Sequence, residues 1–210
     1  MLGHTFIGNT SYLNIIGRIA FPIFAFQISE GYKYTKNFKK YIFRLGLFAI
    51  ISQIPFIIYR KSIGTTSLSL NVFFTLLMGL ISIINYDIIK NKYNNVYLGL
   101  IPVIFFAILA QICKCDYGWY GITIIFLFHL LKENKLYMNL SVILAMCIKY
   151  LTGFVNTFNI YYIYFLIGAI SSLIFISLYN NKKGKNIKYV LYVFYPLHLI
   201  ILYLIKIYLL

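Results

Sequence analysis

Apolar residues fill eight stretches of the chain, at about 12–32, 38–59, 68–86, 96–113, 117–131, 136–152, 159–179 and 187–209, and short polar segments rich in Asn and Lys separate them. The runs are continuous. A soluble domain of 210 residues has too little interior for that much apolar surface. A hydrocarbon layer of about 30 Å selects for about 20 apolar residues per crossing helix. The pattern predicts an all-α fold, a polytopic transmembrane helix bundle of about eight spans, in a single domain over residues 1–210. The fifth and sixth runs are short, which predicts tilted or partly re-entrant helices. No internal repeat or low-complexity linker divides the chain.

Composition sharpens this reading. Hydrophobic residues make up 61% of the chain and charged ones 11%, with a formal net charge of +15. In a soluble protein that charge suggests nucleic acid, but here no basic face is interleaved with stacking residues, so no nucleic-acid partner is expected. The lipid bilayer is the expected partner, and the cations then report topology. Alternate loops with their helix edges hold Lys33, Lys36, Lys39, Lys40, Arg44, Lys90, Lys92, Lys132, Lys135, Lys182, Lys183, Lys185 and Lys188. The opposite side holds Arg60, Lys61, Lys114 and Lys149. The positive-inside rule places the first group in the cytoplasm, so the first span runs from outside to inside.

Residues 1–11 lack the basic, apolar and small-residue order of a cleavable signal peptide. Three cysteines give no full disulfide set, and Cys113-x-Cys115 has no second pair or nearby His to complete a metal site. P-loop, dinucleotide-binding, H-E-x-x-H and G-x-S-x-G patterns are absent.

Polar side chains inside a bilayer are costly and mark function. Arg18 lies about 9 Å in from the outer edge of the first span. Gln53, Asn71, Asp116, Trp119 and Tyr120 gather toward the same side, and His4 enters from it. Trp119 and Tyr120 also suit an aromatic belt, whereas an Arg18–Asp116 ion pair is a natural way to keep both charges. On the cytoplasmic half, Glu30 and Arg44 are placed to pair. His129 reads as interfacial. His198 sits mid-span beside Pro196, where an imidazole serves either helix–helix hydrogen bonding or proton transfer.

At these residues the chain resembles the TraX family, named for the conjugation protein associated with pilin acetylation. Four blocks carry the resemblance: Gly17-Arg18-Ile19-Ala20-Phe21-Pro22 with Glu30-Gly31, continued by Arg44 and Ile54-Pro55-Phe56; Leu70-Asn71-Val72-Phe73-Phe74-Thr75; Asp116-Tyr117-Gly118-Trp119-Tyr120-Gly121; and Tyr195-Pro196-Leu197-His198-Leu199. The resemblance implies a membrane acyltransferase of the bacterial plasma membrane that uses acetyl-CoA to acetylate a pilin-like protein or other envelope molecule. It implies catalytic roles for His198, His4, Arg18, Asp116 and Asn71, and phosphate binding by Arg44, Lys36, Lys39 and Lys40. The family pattern begins with a helix ending in an Asp-His-x-Gly-like motif. Here Met1-Leu2-Gly3-His4 stands in its place, with Gly3 where the Asp falls, which reads as a missing N-terminal half-helix or a degenerate copy. The other readings are a small transporter or channel using the same polar cluster, and a structural subunit of a conjugation-type assembly.

Overall fold

Asparagines start half of the helices. The computed structural model describes residues 12–65, 68–180 and 188–209, which form eight helices. They are α1 (Tyr12–Tyr34), α2 (Phe38–Ser62), α3 (Val72–Tyr93), α4 (Val96–Ile112), α5 (Gly118–Leu130), α6 (Lys135–Thr157), α7 (Tyr161–Ser177) and α8 (Lys188–Leu209). Asn37, Asn71, Asn95 and Asn134 stand at the N-caps of α2, α3, α4 and α6, and each side chain accepts a backbone N–H of the first turn. Asn94 adopts the left-handed conformation that ends α3, so Asn94-Asn95 closes one helix and opens the next. All four prolines, Pro22, Pro55, Pro102 and Pro196, lie inside helices.

The third helix starts at Val72 rather than at 68. Leu70 instead pairs with the loop after α4: its N–H donates to the Lys114 carbonyl at 3.2 Å, and Asp116 N–H donates to its carbonyl at 3.0 Å. That parallel bridge is the sole strand-like pairing among the described residues. The sixth helix, read as short, runs through Thr157, whereas α5 has 13 residues.

Helices α3 and α5 form the centre. The α5 helix packs against α1, α3, α4 and α6, while α7 lies along α1 and α6, and α8 packs on α2. Close approach of α5 to its neighbours depends on Gly121, where a Cβ would run into Thr75 Cγ2, with Phe21 and Tyr117 at 3.0 Å. Outward faces are strongly apolar. On α2, Phe43, Ile50 and Ile54 are 69%, 66% and 68% exposed, while Tyr41, Leu45, Ala49, Ser52 and Phe56 are buried inside. Such a face is stable against lipid and not against water. Helices α2, α3 and α6 are each long and apolar enough to cross a membrane, and α4, α5, α7 and the Tyr192–Tyr208 part of α8 are shorter apolar helices. The α1 helix carries Arg18, Glu30 and Lys33, which dilute its apolar character.

Candidate functional site

Two polar clusters lie at opposite ends of the α3–α5 core. The first surrounds the 68–71 and 113–117 loops. Asn71 is fully buried. Its Nδ2 donates to the Ala49 carbonyl at 2.7 Å and to Gln53 Oε1 at 2.8 Å, and its Oδ1 accepts Phe73 N–H at 2.9 Å. Gln53 Nε2 donates to the Ser69 carbonyl at 2.8 Å. Asn71 and Gln53 thus fasten α2 to the start of α3 and to the 68–71 segment, whose Leu70 pairs with the loop bearing Asp116.

Asp116 is an exposed residue of that loop, with its carboxyl end in Coulombic range of Arg18 and Arg60. Desolvation by the surrounding protein pushes its carboxyl above the ordinary range, while Arg18 and Arg60 pull it back. The Arg18 guanidinium lies over the Phe165 ring, 4.5 Å from its centroid, and within hydrogen-bonding reach of the Tyr117 hydroxyl. No Arg18–Asp116 contact within 4 Å appears among the described residues. Instead Tyr117 is the side chain that bonds with Arg18, and Asp116 acts on Arg18 at longer Coulombic range. The Tyr117 ring stacks on Phe21 with centroids 3.6 Å apart. Gly118, at φ +52°, turns the chain sharply into α5. Tyr120 is buried and packs edge-on against Tyr150, so it belongs to the interior rather than to an aromatic belt, and Trp119 is half-buried.

His198 joins this cluster through Tyr195, whose ring centre lies 5.3 Å from the imidazole. The Tyr195 hydroxyl is buried at the first turn of α3, near Val72, in Coulombic range of Asp116, Tyr117 and Arg60. His198 Nδ1 faces the Phe194 carbonyl at 3.3 Å. A carbonyl only accepts, so Nδ1 carries the proton and Nε2 presents a lone pair. His4 lies outside the described residues.

The second cluster sits at the end that bears the basic loops. Asp87 accepts from the Tyr32 hydroxyl at 2.9 Å, and its other oxygen meets His129 Nε2 at 3.1 Å. One knot therefore ties α1, α3 and α5. His129, in the last turn of α5, is 5% exposed: it is a buried partner of Asp87, with Tyr32 and Tyr86 edge-on to its ring. Glu30 and Arg44 are not joined. Glu30 bonds with Tyr179, while Arg44 bonds with Tyr192 and lies over the Tyr41 ring at 5.6 Å. The α1 helix leans on α7 and α2 on α8, and this separates the two charges. Lys36, Lys39 and Lys40 are exposed beside Arg44 at the start of α2, and Arg44 Nε is buried without a partner. A row of exposed ammoniums ending in a half-buried guanidinium fits a polyanionic phosphate group.

Sequence reasoning missed Arg60, Tyr117, Tyr150 and Tyr195 as members of the first cluster. Twenty-one tyrosines conceal the three that matter. It also missed Asp87, for which the signal was present: an acid in an apolar run facing a later His.

No solved structure matches significantly. A relative from Dichelobacter nodosus, named probable fimbrial assembly protein FimC, serogroup H1, is 30% identical over 132 residues, which cover 59% of this chain and 51% of that protein. This chain therefore matches about half the length of that relative. The family description "TraX protein" matches residues 2–206, nearly the whole chain, and the chain belongs to the TraX family.

Proposed function

We propose that the protein is a multi-pass acyltransferase of the bacterial inner membrane that takes an acetyl group from acetyl-CoA and places it on an envelope acceptor, such as a pilin-like protein. The observation that carries this reading is His198. Its Nδ1 is held by a carbonyl, its Nε2 is left basic, and Tyr195 links it to a solvent-accessible cluster of Arg18, Asp116 and Tyr117. A base oriented by a second group beside a cluster of polar side chains is the arrangement that proton-coupled acyl transfer needs.

The basic end is the cytoplasmic one by its cations. There Arg44, Lys36, Lys39 and Lys40 bind the donor's phosphates. The thioester supplies an activated acyl group. His198 Nε2 takes the proton of the acceptor's amine or hydroxyl as the new bond to the acyl carbon forms and the thiol leaves. Asn71 has both amide hydrogens committed to α2, so charge on the acyl oxygen falls to Arg18 and the Tyr195 hydroxyl. The family membership and the relative named for fimbrial assembly support an acceptor connected with pili.

The test is thiol release from acetyl-CoA by the purified protein, with a pilin-like peptide as acceptor. Acceptor-dependent release that is lost in His198→Gln is expected. Equal release by wild type and His198→Gln would remove this residue from the chemistry, and no release with any acceptor would remove the reaction.

A further inference from the structure

An aromatic ring stands exposed among the lysines at the start of α2. Phe38 is 39% exposed and lies between Lys36 and the pair Lys39 and Lys40, which are exposed as well. Its place on the helix decides what it is exposed to. At about 100° per residue, Phe38 falls within about 60° of the buried Tyr41, Leu45, Ala49, Ser52 and Phe56. The lipid-facing Phe43, Leu47, Ile50 and Ile54 lie about 120–180° away from it. Phe38 therefore continues the inward face of α2 to the end of the bundle, where it opens to the aqueous side rather than to lipid.

The ring is held in place. It packs on Tyr32 with centroids 5.0 Å apart and planes at 37°, which covers one face and leaves the other open. Tyr32 is pinned in turn: its hydroxyl donates to Asp87 at 2.9 Å, and its carbonyl accepts Thr35 N–H at 3.3 Å. One turn farther along α2, Tyr41 presses on α1, where a Cβ on Gly31 would lie 2.6 Å from the Tyr41 hydroxyl oxygen. The Asn37 side chain accepts Lys40 N–H at 3.0 Å and fixes the start of the helix. The corner between α1 and α2 thus presents one rigid ring face with long, solvated ammoniums around it. No carboxylate lies within 4 Å of Lys36, Lys39 or Lys40 among the described residues, and Asp87 is already engaged by Tyr32 and His129.

A nucleotide matches this pair of features, since its base has a flat π-face and its phosphates are anionic. We propose that Phe38 stacks on the base of a bound nucleotide, whose phosphates meet Lys36, Lys39 and Lys40. Arg44 follows about 9 Å farther along α2 and takes a phosphate beyond the base. Taking the nucleotide to be that of acetyl-CoA rests on the acyl-transfer reading, whereas the stack is measured without turnover.

The full-length protein in a neutral detergent is titrated calorimetrically with coenzyme A and, separately, with phosphopantetheine, which lacks the nucleotide. Coenzyme A should bind more tightly. Phe38→Leu keeps apolar bulk without a ring and should weaken coenzyme A by about 5- to 150-fold, the worth of one base–aromatic stack. It should leave phosphopantetheine unchanged. Phe38→Tyr should keep wild-type affinity for both, and so should Phe43→Leu, which alters a ring on the lipid face. Wild-type affinity for coenzyme A in Phe38→Leu overturns the stack and leaves acyl transfer standing. Equal weakening of both probes marks a distorted α1–α2 corner and overturns it too. Binding that follows the ring, without acyl transfer to any acceptor, would sink the acyl-transfer reading and leave the nucleotide site. No binding of coenzyme A by the wild type would remove both.

Discussion

Asn71 separates a structural role from a chemical one in a single experiment. Replacing it with Ala removes three buried hydrogen bonds, at 2.7, 2.8 and 2.9 Å, and leaves the Phe73 N–H without its cap. Hydrogen bonds in helical membrane proteins measure about 0.6 to 1.7 kcal/mol each, so the sum is about 2 to 5 kcal/mol, of which about 1 is the lost N-cap. Asn71→Asp should be as damaging: it keeps the cap, but its second oxygen then faces two acceptors, the Ala49 carbonyl and Gln53 Oε1. The assay is unfolding in mixed micelles, followed through Trp119 emission. Both variants should unfold at markedly lower denaturant, with any loss of acyl transfer tracking the unfolded fraction. A destabilisation below about 1 kcal/mol would refute the accounting. Wild-type stability with abolished transfer would place Asn71 in the chemistry.

His198→Ala and His198→Gln should both cut acyl transfer by about 10²–10⁴-fold, with Gln keeping wild-type stability, because a general base contributes about that much. Tyr32→Phe should cost about 1 kcal/mol, and Asp87→Ala more, since it leaves His129 buried without its partner, as measured by the same unfolding assay. Cys115 should react with maleimide about 100-fold more slowly than an ordinary thiol at pH 7.5, because burial pushes its pKa up to about 11 from 9.0; its rate should keep rising with pH up to that value. Gly121→Ala should destabilise the bundle, because the added methyl meets Thr75 with Phe21 and Tyr117 packed around it. A cysteine at Lys39 should label from the cytoplasmic side alone.

The helices were legible because lipid imposes long apolar runs, whereas the capping Asn before Val72, Val96 and Lys135 is a local signal that the reading left unused. The start of α3 was misplaced because Leu68-Ser69-Leu70 is as apolar as a helix, and the bridge to Cys115 is a contact between distant segments. Pairings between helices were hidden for the same reason. Asp87 and His129 are 42 residues apart and meet only through the packing of α3 on α5. Glu30 and Arg44 lie close in sequence yet turn toward α7 and α8, a choice that depends on which helices flank them. Arg18 and Asp116 were found as intramembrane charges, but Tyr117, which bonds with Arg18, carries no mark in a chain so rich in tyrosine.

The spacing of the two polar clusters sets an electrical distance. Along α3 from Asn71 to Asp87, and along α5 from Gly118 to His129, the rise is about 17 to 24 Å. A hydrocarbon core is about 30 Å thick. In a membrane, polar side chains at both clusters thin the apolar layer to the stretch between them, and a transmembrane voltage falls over that shorter distance. Moving one elementary charge through the whole of it costs about 2.3 kcal/mol per 100 mV. On the proposed acyl transfer, a proton released from the first cluster toward the second crosses that layer, and turnover in energised vesicles should then depend on membrane potential as well as on substrate.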